Sequence, residues 1–198
     1  LKDKSGVLFL GITTIMSDVA IWGALSVLTI TMSKEIFNKG SWGYGLMDGM
    51  YGFGALISTI VVAIITKKFG RRKSLIWCYS IAGLCCFISP FSPTIYIAGI
   101  AYLLMGLHNN SARIIVRTLF MEIIPNNIMG RVQTIFGVYT RVMMLTSVLI
   151  AGWVTENLNP HIGMNFASAH YLIALVGIIV ISKFSNFRKE IFKVKNHA

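Results

Sequence analysis

The chain has 198 residues, of which 55% are hydrophobic and 13% charged, against about 25% charged in soluble domains; its mean hydropathy is +0.71. A soluble domain of this length cannot bury so much apolar surface, so the composition excludes an ordinary soluble enzyme and points into a lipid bilayer. The net charge of +11 does not indicate a nucleic-acid binder, because the cations sit in short segments between apolar runs rather than along one solvated face, as topology and anionic lipid headgroups require.

Six apolar runs approach the roughly 20 residues needed to cross a bilayer, at about 6–32, 43–66, 74–91, 94–120, 131–154 and 164–184. The sequence thus predicts an all-α membrane protein, a single six-helix bundle over 1–198 with a basic tail at 185–198. The first run follows Lys2, Asp3 and Lys4. It is too long for a signal-peptide core and no small-residue cleavage site follows it. The chain starts at Leu1 and is expected to be a fragment or half-molecule beginning in a cytoplasmic linker. On this first helix Thr14, Ser17 and Asp18 share a face.

KEIFNKGSW (34–42) separates the first run from the second. The second opens with GYGLMDGMYGFGA, in which Gly45 and Gly49 form a GxxxG. That spacing predicts close packing against a neighbour. Asp48, near the end of the span, is expected to face headgroups. Next comes TKKFGRRK (66–73), with Lys67, Lys68, Arg71, Arg72 and Lys73 around Gly70. The third run holds Cys78, Cys85 and Cys86. C-x6-C-C matches no zinc or redox spacing, so these are read as small packing residues, with no metal and no cofactor.

SPFSP (89–93) is a turn. The fourth run then carries Gly106, His108, Asn109, Asn110, Arg113 and Arg117. EIIPNNIMGR (122–131) follows, with Pro125 closing one helix and Asn126 or Asn127 capping the next. The fifth run aligns Thr134, Gly137 and Arg141, and NLNPHIGMN (157–165) leads into the sixth.

An even number of spans puts both termini on one side. Lys2, Lys4, the 66–73 segment, Arg117, Arg131, Lys183 and the tail cations fall there, whereas Lys34 and Lys39 fall opposite. Cytoplasmic segments hold the excess of Lys and Arg, so both ends are expected in the cytoplasm of an inner or plasma membrane.

Asp18, Arg113 and Arg141 lie inside spans. A charge at such depth costs about 2.5–3.5 kcal/mol and must face water or a partner. Three helices with a polar face suit a bundle around a wet path, a route for a small molecule or a proton. Asp18 is read as the proton- or substrate-linked carboxylate, and Arg113 and Arg141 as its positive charges. A plain structural ion pair between Asp18 and Arg141 is the alternative. His108 is either a protonation site or a hydrogen-bonded packing residue.

These features resemble the C-terminal six-helix half of a major facilitator superfamily transporter. In that family a loop reading roughly Gly-x-x-x-Asp-Arg-x-Gly-Arg-Arg joins the second and third helices of each half. Here AIITKKFGRRKSL stands in that place. Gly70, Arg71 and Arg72 match, Lys68 replaces the first Arg, Lys67 stands where the Asp belongs, and Ala63 where the leading Gly belongs. PNNIMGRV (125–132), with Pro125, Gly130 and Arg131, resembles an element of efflux members such as siderophore and macrolide exporters. The resemblance implies alternating access between two bundles, each of two inverted three-helix repeats. It also implies a cavity lined by the first and fourth helices. It further implies a proton-coupled exporter of a siderophore or drug-like amphiphile, with a missing N-terminal half or a second copy as partner. Lys67 cannot accept the hydrogen bonds of the family's Asp, which weakens this latch, although Arg71 remains within expected reach of Glu122.

Two other classes compete with this reading. A lipid-modifying membrane enzyme needs clustered acids or histidines; the seven acids are scattered and the chain is not read as an enzyme. A non-catalytic scaffold or subunit is compatible with the GxxxG and would tolerate neutral replacement of Asp18, Arg113 and Arg141.

Overall fold

The computed structural model describes residues 5–183, all helical apart from short connections. Lys2, Lys4, Arg188, Lys189, Lys193, Lys195 and the tail predicted at 185–198 lie outside the described residues, apart from the start of that side at Lys183. The helices are α1 (Ser5–Val19), α2 (Leu25–Thr31), α3 (Gly40–Ile88), α4 (Ile95–Ile123), α5 (Asn126–Asn157) and α6 (Pro160–Lys183). Two five-residue π-helical turns, Ala20–Ala24 and Met32–Ile36, join onto α1 and α2 and make one rod to residue 36.

Among the described residues four helical stretches are long and apolar enough to cross a membrane: Leu8–Ile36, Gly40–Phe91, Asn126–Asn157 and Pro160–Lys183. α4, with 29 residues, is long enough. Its string of His108, Asn109, Asn110, Arg113 and Arg117 interrupts the apolar sequence and leaves it outside those four.

The 49-residue α3 is not straight. Gly70 has φ 76° and ψ 155°, a conformation open to glycine because it lacks a Cβ. The chain reverses there, and the Ser74 hydroxyl donates to the carbonyls of Ile65 (3.1 Å) and Gly70 (2.9 Å). The segment 66–73, expected as a loop, is therefore helical on both sides of a single turning residue. Helices likewise absorb most of 34–42, 122–131 and 157–165. Continuing the helix satisfies backbone groups that a loop at a bilayer surface would leave to water, and Pro160 suits a first helical position.

Contact registers fix the direction of each arm. The first arm of α3 runs parallel to α4: Gly54 meets Leu103 and Leu107, Gly106 meets Tyr51, and Asn110 reaches Ala55 and Ser58. The second arm runs antiparallel to α6, with Gly83 on Tyr171 and Cys86 beside Met164. The α1–α2 rod runs antiparallel to α4 (Asp18 opposite Arg113, Thr29 bonded to Tyr102 at 2.9 Å) and to α6 (Thr13 on Gly177, Leu28 on Gly163). It runs parallel to α5 (Gly11 on Phe136, Gly23 on Ser147). Successive arms alternate in direction.

The core is filled by adaptable and aromatic side chains, among them Leu28, Met32, Met47, Tyr79, Met105, Met164 and Tyr171, all fully buried. Cys78 and Cys86 are buried within it and pack as small residues. The glycine expectation needs correction. Among the described residues Gly45 and Gly49 meet nothing within 4 Å, while a Cβ on Gly54 would strike the Leu103 carbonyl and one on Gly106 the Tyr51 carbonyl. Glycine spacing within one helix does not say which face meets the neighbour. α5 is the least enclosed helix, with Ser147 and Ala151 as its buried residues.

Candidate functional site

Thr14, Ser17 and Asp18 come from one face of α1. The Thr14 hydroxyl donates to Leu10 O (2.6 Å) and that of Ser17 to Thr14 O (2.8 Å). Each donor is thus satisfied within the helix, leaving its oxygen as an acceptor toward the interior. Across from them, α4 presents Arg113, whose Nε lies 3.6 Å from Asp18 Oδ1.

This is an ion pair without a hydrogen bond. Both facing atoms are buried and have no hydrogen-bonding partner among the described residues. A buried polar atom left so asks for a reason. Here it is the cavity of about 450 Å³ on whose wall the pair sits. Thr14, Ser17 and Asp18 form one wall, Tyr79 of α3 a second, and Arg113, Val116, Arg117 and Phe120 of α4 a third. Gln133 and Phe136 of α5 close it. Phe120 and Phe136 stack with ring centroids 5.6 Å apart. The arrangement offers hydrogen-bonding groups of both signs beside an aromatic platform, which suits a small polar solute.

Other predicted site residues lie elsewhere. Arg141 and Thr134 are exposed on α5, outside this cavity. The proposed Asp18–Arg141 pair is therefore replaced by Asp18–Arg113, because α4, not α5, places its cation opposite Asp18. His108 is half-buried, its Nδ1 2.8 Å from the Leu104 carbonyl. Asn109 donates to the Tyr51 hydroxyl (3.0 Å), and Asn110 to Ala55 O (3.1 Å) and Ser58 Oγ (2.6 Å). The polar stripe of α4 thus divides. Its first half fastens α4 to α3, and Arg113 and Arg117 face the cavity. Tyr79, Gln133, Phe120 and Phe136 were not anticipated. Gln133, a lone amide three residues from Phe136, was the one sequence sign of a further wall.

At the Gly70 turn Arg71 forms a two-pronged pair with Glu122 at the end of α4, at 2.5 and 2.7 Å. That hydrogen bond raises the Arg71 pKa and lowers that of Glu122. The Lys68 ammonium lies 5.4 Å from the Phe69 ring centre, Arg72 Nε is buried without a partner among the described residues, and Lys67 is exposed. Pro125 occupies the cap position of α5, with no side-chain cap from Asn126 or Asn127. Gly130 and Arg131 are exposed on its early turns.

The reversal at Gly70-Arg71-Arg72 and the arms of alternating direction agree with a sequence comparison in which the Major Facilitator Superfamily profile matches residues 7–190. The chain belongs to the major facilitator superfamily. It is thus a multi-pass membrane protein of a transporter family rather than an enzyme. A D-xylose transporter of Levilactobacillus brevis is 26% identical over 129 residues, which are 65% of this chain and 27% of that protein. This superfamily chain therefore aligns with little more than a quarter of that relative's length.

Proposed function

We propose that the chain is a six-pass bundle, the C-terminal half of a secondary transporter. It works by alternating access against a companion bundle, an N-terminal half or a second copy. The observation that carries this reading is the Asp18–Arg113 pair, held at 3.6 Å without a hydrogen bond on the wall of a polar cavity. A protonated Asp18 releases Arg113 to a solute; an ionised Asp18 takes Arg113 back. One pair thereby links proton and cargo binding. Thr14, Ser17, Tyr79 and Gln133 supply further hydrogen bonds. The cations at 67–73 and Arg131, with Lys34 and Lys39 opposite, favour cytoplasmic termini in an inner or plasma membrane.

The 125–132 element favours export of a drug- or siderophore-like amphiphile. The sugar-transporting relative favours a neutral polyol, and the cavity's mix of acceptors, donors and stacked rings accommodates one. Transport in proteoliposomes decides between them. The full-length protein is reconstituted under an imposed pH gradient, and xylose uptake and extrusion of a fluorescent amphiphile are followed. Proton-driven flux of one solute, lost in Asp18→Asn and weakened in Arg113→Ala, is expected. Wild-type flux in both variants would overturn the site.

A further inference from the structure

A second pocket, of about 110 Å³, lies a helical turn further along the rod, where the π-helical turn Ala20–Ala24 carries Trp22. Trp22, Tyr44, Tyr51 and Tyr102 line it, and so does Asp48. Asp48, expected to face headgroups, is exposed and borders the pocket alongside these four aromatic residues. The hydroxyl of Tyr102 is engaged with Thr29 (2.9 Å) and that of Tyr51 with Asn109 (3.0 Å). Tyr102 therefore offers an occupant chiefly its ring, while Tyr51, an acceptor toward Asn109, offers its ring and its O–H donor. Trp22 is 55% exposed and leaves the pocket open.

We infer that this pocket binds a small organic ammonium ion, with the aromatic rings around its alkyl groups and the Asp48 carboxylate as counter-charge. Among the described residues no Lys or Arg pairs with Asp48; the two ion pairs are Arg71–Glu122 and Asp18–Arg113. As an exposed carboxylate near the end of its span, Asp48 attracts cations and repels anions. A bare metal ion is a poor match, since hard cations want six or more oxygens and no group of three His, Cys, Asp or Glu occurs among the described residues. An alkylated ammonium fits both features, because aromatic quadrupoles attract diffuse positive charge and alkyl groups tolerate apolar walls. The volume falls well below the about 300–1,000 Å³ of drug-sized sites, so the ligand is small. This goes beyond the transport reading above: neither Asp18 nor Arg113 takes part.

The test is equilibrium binding of radiolabelled choline to the full-length protein in nanodiscs. Saturable binding is expected, displaced by tetramethylammonium and not by 3,3-dimethylbutanol, the neutral isostere of choline. Asp48→Asn and Tyr44→Ala should each weaken it by about tenfold or more, while Tyr44→Phe stays within about twofold. Asp18→Asn should leave it unchanged, which separates this site from the transport cavity. Absence of saturable binding to the wild type, equal displacement by the neutral alcohol, or full affinity in Asp48→Asn would each overturn the proposal.

Discussion

The guanidinium of Arg71 holds both carboxylate oxygens of Glu122, at 2.5 and 2.7 Å, across 51 residues of sequence. The pair ties the start of the second arm of α3 to the end of α4. It thereby fixes the Gly70 reversal against the helix that carries Arg113. Lys67 is exposed and contributes no carboxylate, so Glu122 is the acid that anchors this turn.

The first prediction concerns pH. The bond to Arg71 lowers the Glu122 pKa, so its stabilisation is present above the ordinary carboxylate range, about 4.3. It is lost as pH falls through the lower, folded value. Both side chains are partly exposed, at 29% and 49%, and such pairs contribute no more than about 1 kcal/mol. Thermal melts across pH 2–7 should show a small acid-side loss in the wild type that Glu122→Gln lacks. Identical profiles for the two proteins would count against an anchoring role.

A second prediction separates the glycines. Gly106 has the Tyr51 carbonyl where a Cβ would stand, and Gly54 has the Leu103 carbonyl there. Because the obstacle is backbone, relief requires moving a helix, at about 1–3 kcal/mol or more. Gly106→Val and Gly54→Val should therefore lower the melting temperature or abolish a monodisperse peak in size-exclusion chromatography. Gly49 meets nothing within 4 Å among the described residues, and Gly49→Ala should raise helix stability by about 0.5–1 kcal/mol. A chain that tolerates Gly106→Val but not Gly49→Ala would reverse this assignment.

Asp18 and Arg113 should be coupled energetically, and Asp18 and Arg141 should not. Single and double neutral replacements (Asp18→Asn with Arg113→Gln, and with Arg141→Gln) form two cycles, read from urea or thermal unfolding in mild detergent. The facing pair is expected to show about 0.5–3 kcal/mol of interaction, and the distant pair no more than about 0.5 kcal/mol. Each single replacement at the facing pair leaves a poorly solvated charge, so it should destabilise more than the double. Coupling in the Arg141 cycle alone would restore the ion pair that the sequence suggested.

What was legible in the sequence follows from which physical signal each feature leaves there. The apolar runs and the single permissive residue at Gly70 announce helices and their reversal, because bilayer thickness and backbone sterics act locally. Asp18 and Arg113 stood out because charge is rare in such helices. Their pairing did not, since helical periodicity gives the face of a residue on its own helix and not the rotation of that helix against its neighbours. The same gap explains Arg141, Gly45 and Gly49. Each lies on a regular stripe, and each stripe points away from the packed interior. Asn109 and Asn110 were grouped with Arg113 by spacing, yet one helical turn suffices to move from the α3 contact to the cavity wall. Tyr79 left no sign because an aromatic residue in an apolar run reads as core.

The last prediction concerns the open side of α5. Ile135, Leu145, Leu149 and Trp153 are 61–72% exposed, and the same helix carries exposed Thr134 and Arg141. Lipid tails would cover the apolar members but not the guanidinium, whose burial against hydrocarbon is costly. A second bundle can cover both, because it can bring a polar partner to Arg141 and apolar side chains to Leu145 and Leu149. If the proposed companion bundle, an N-terminal half or a second copy, packs here, cysteines placed at Leu145 and Leu149 should cross-link to it in the native membrane. Arg141→Leu should weaken that association without changing the melting of this bundle by more than about 0.5 kcal/mol, as befits an exposed site. Cross-links that form only to lipid-reactive probes would show that this face meets the bilayer and would count against a companion bundle packed on α5.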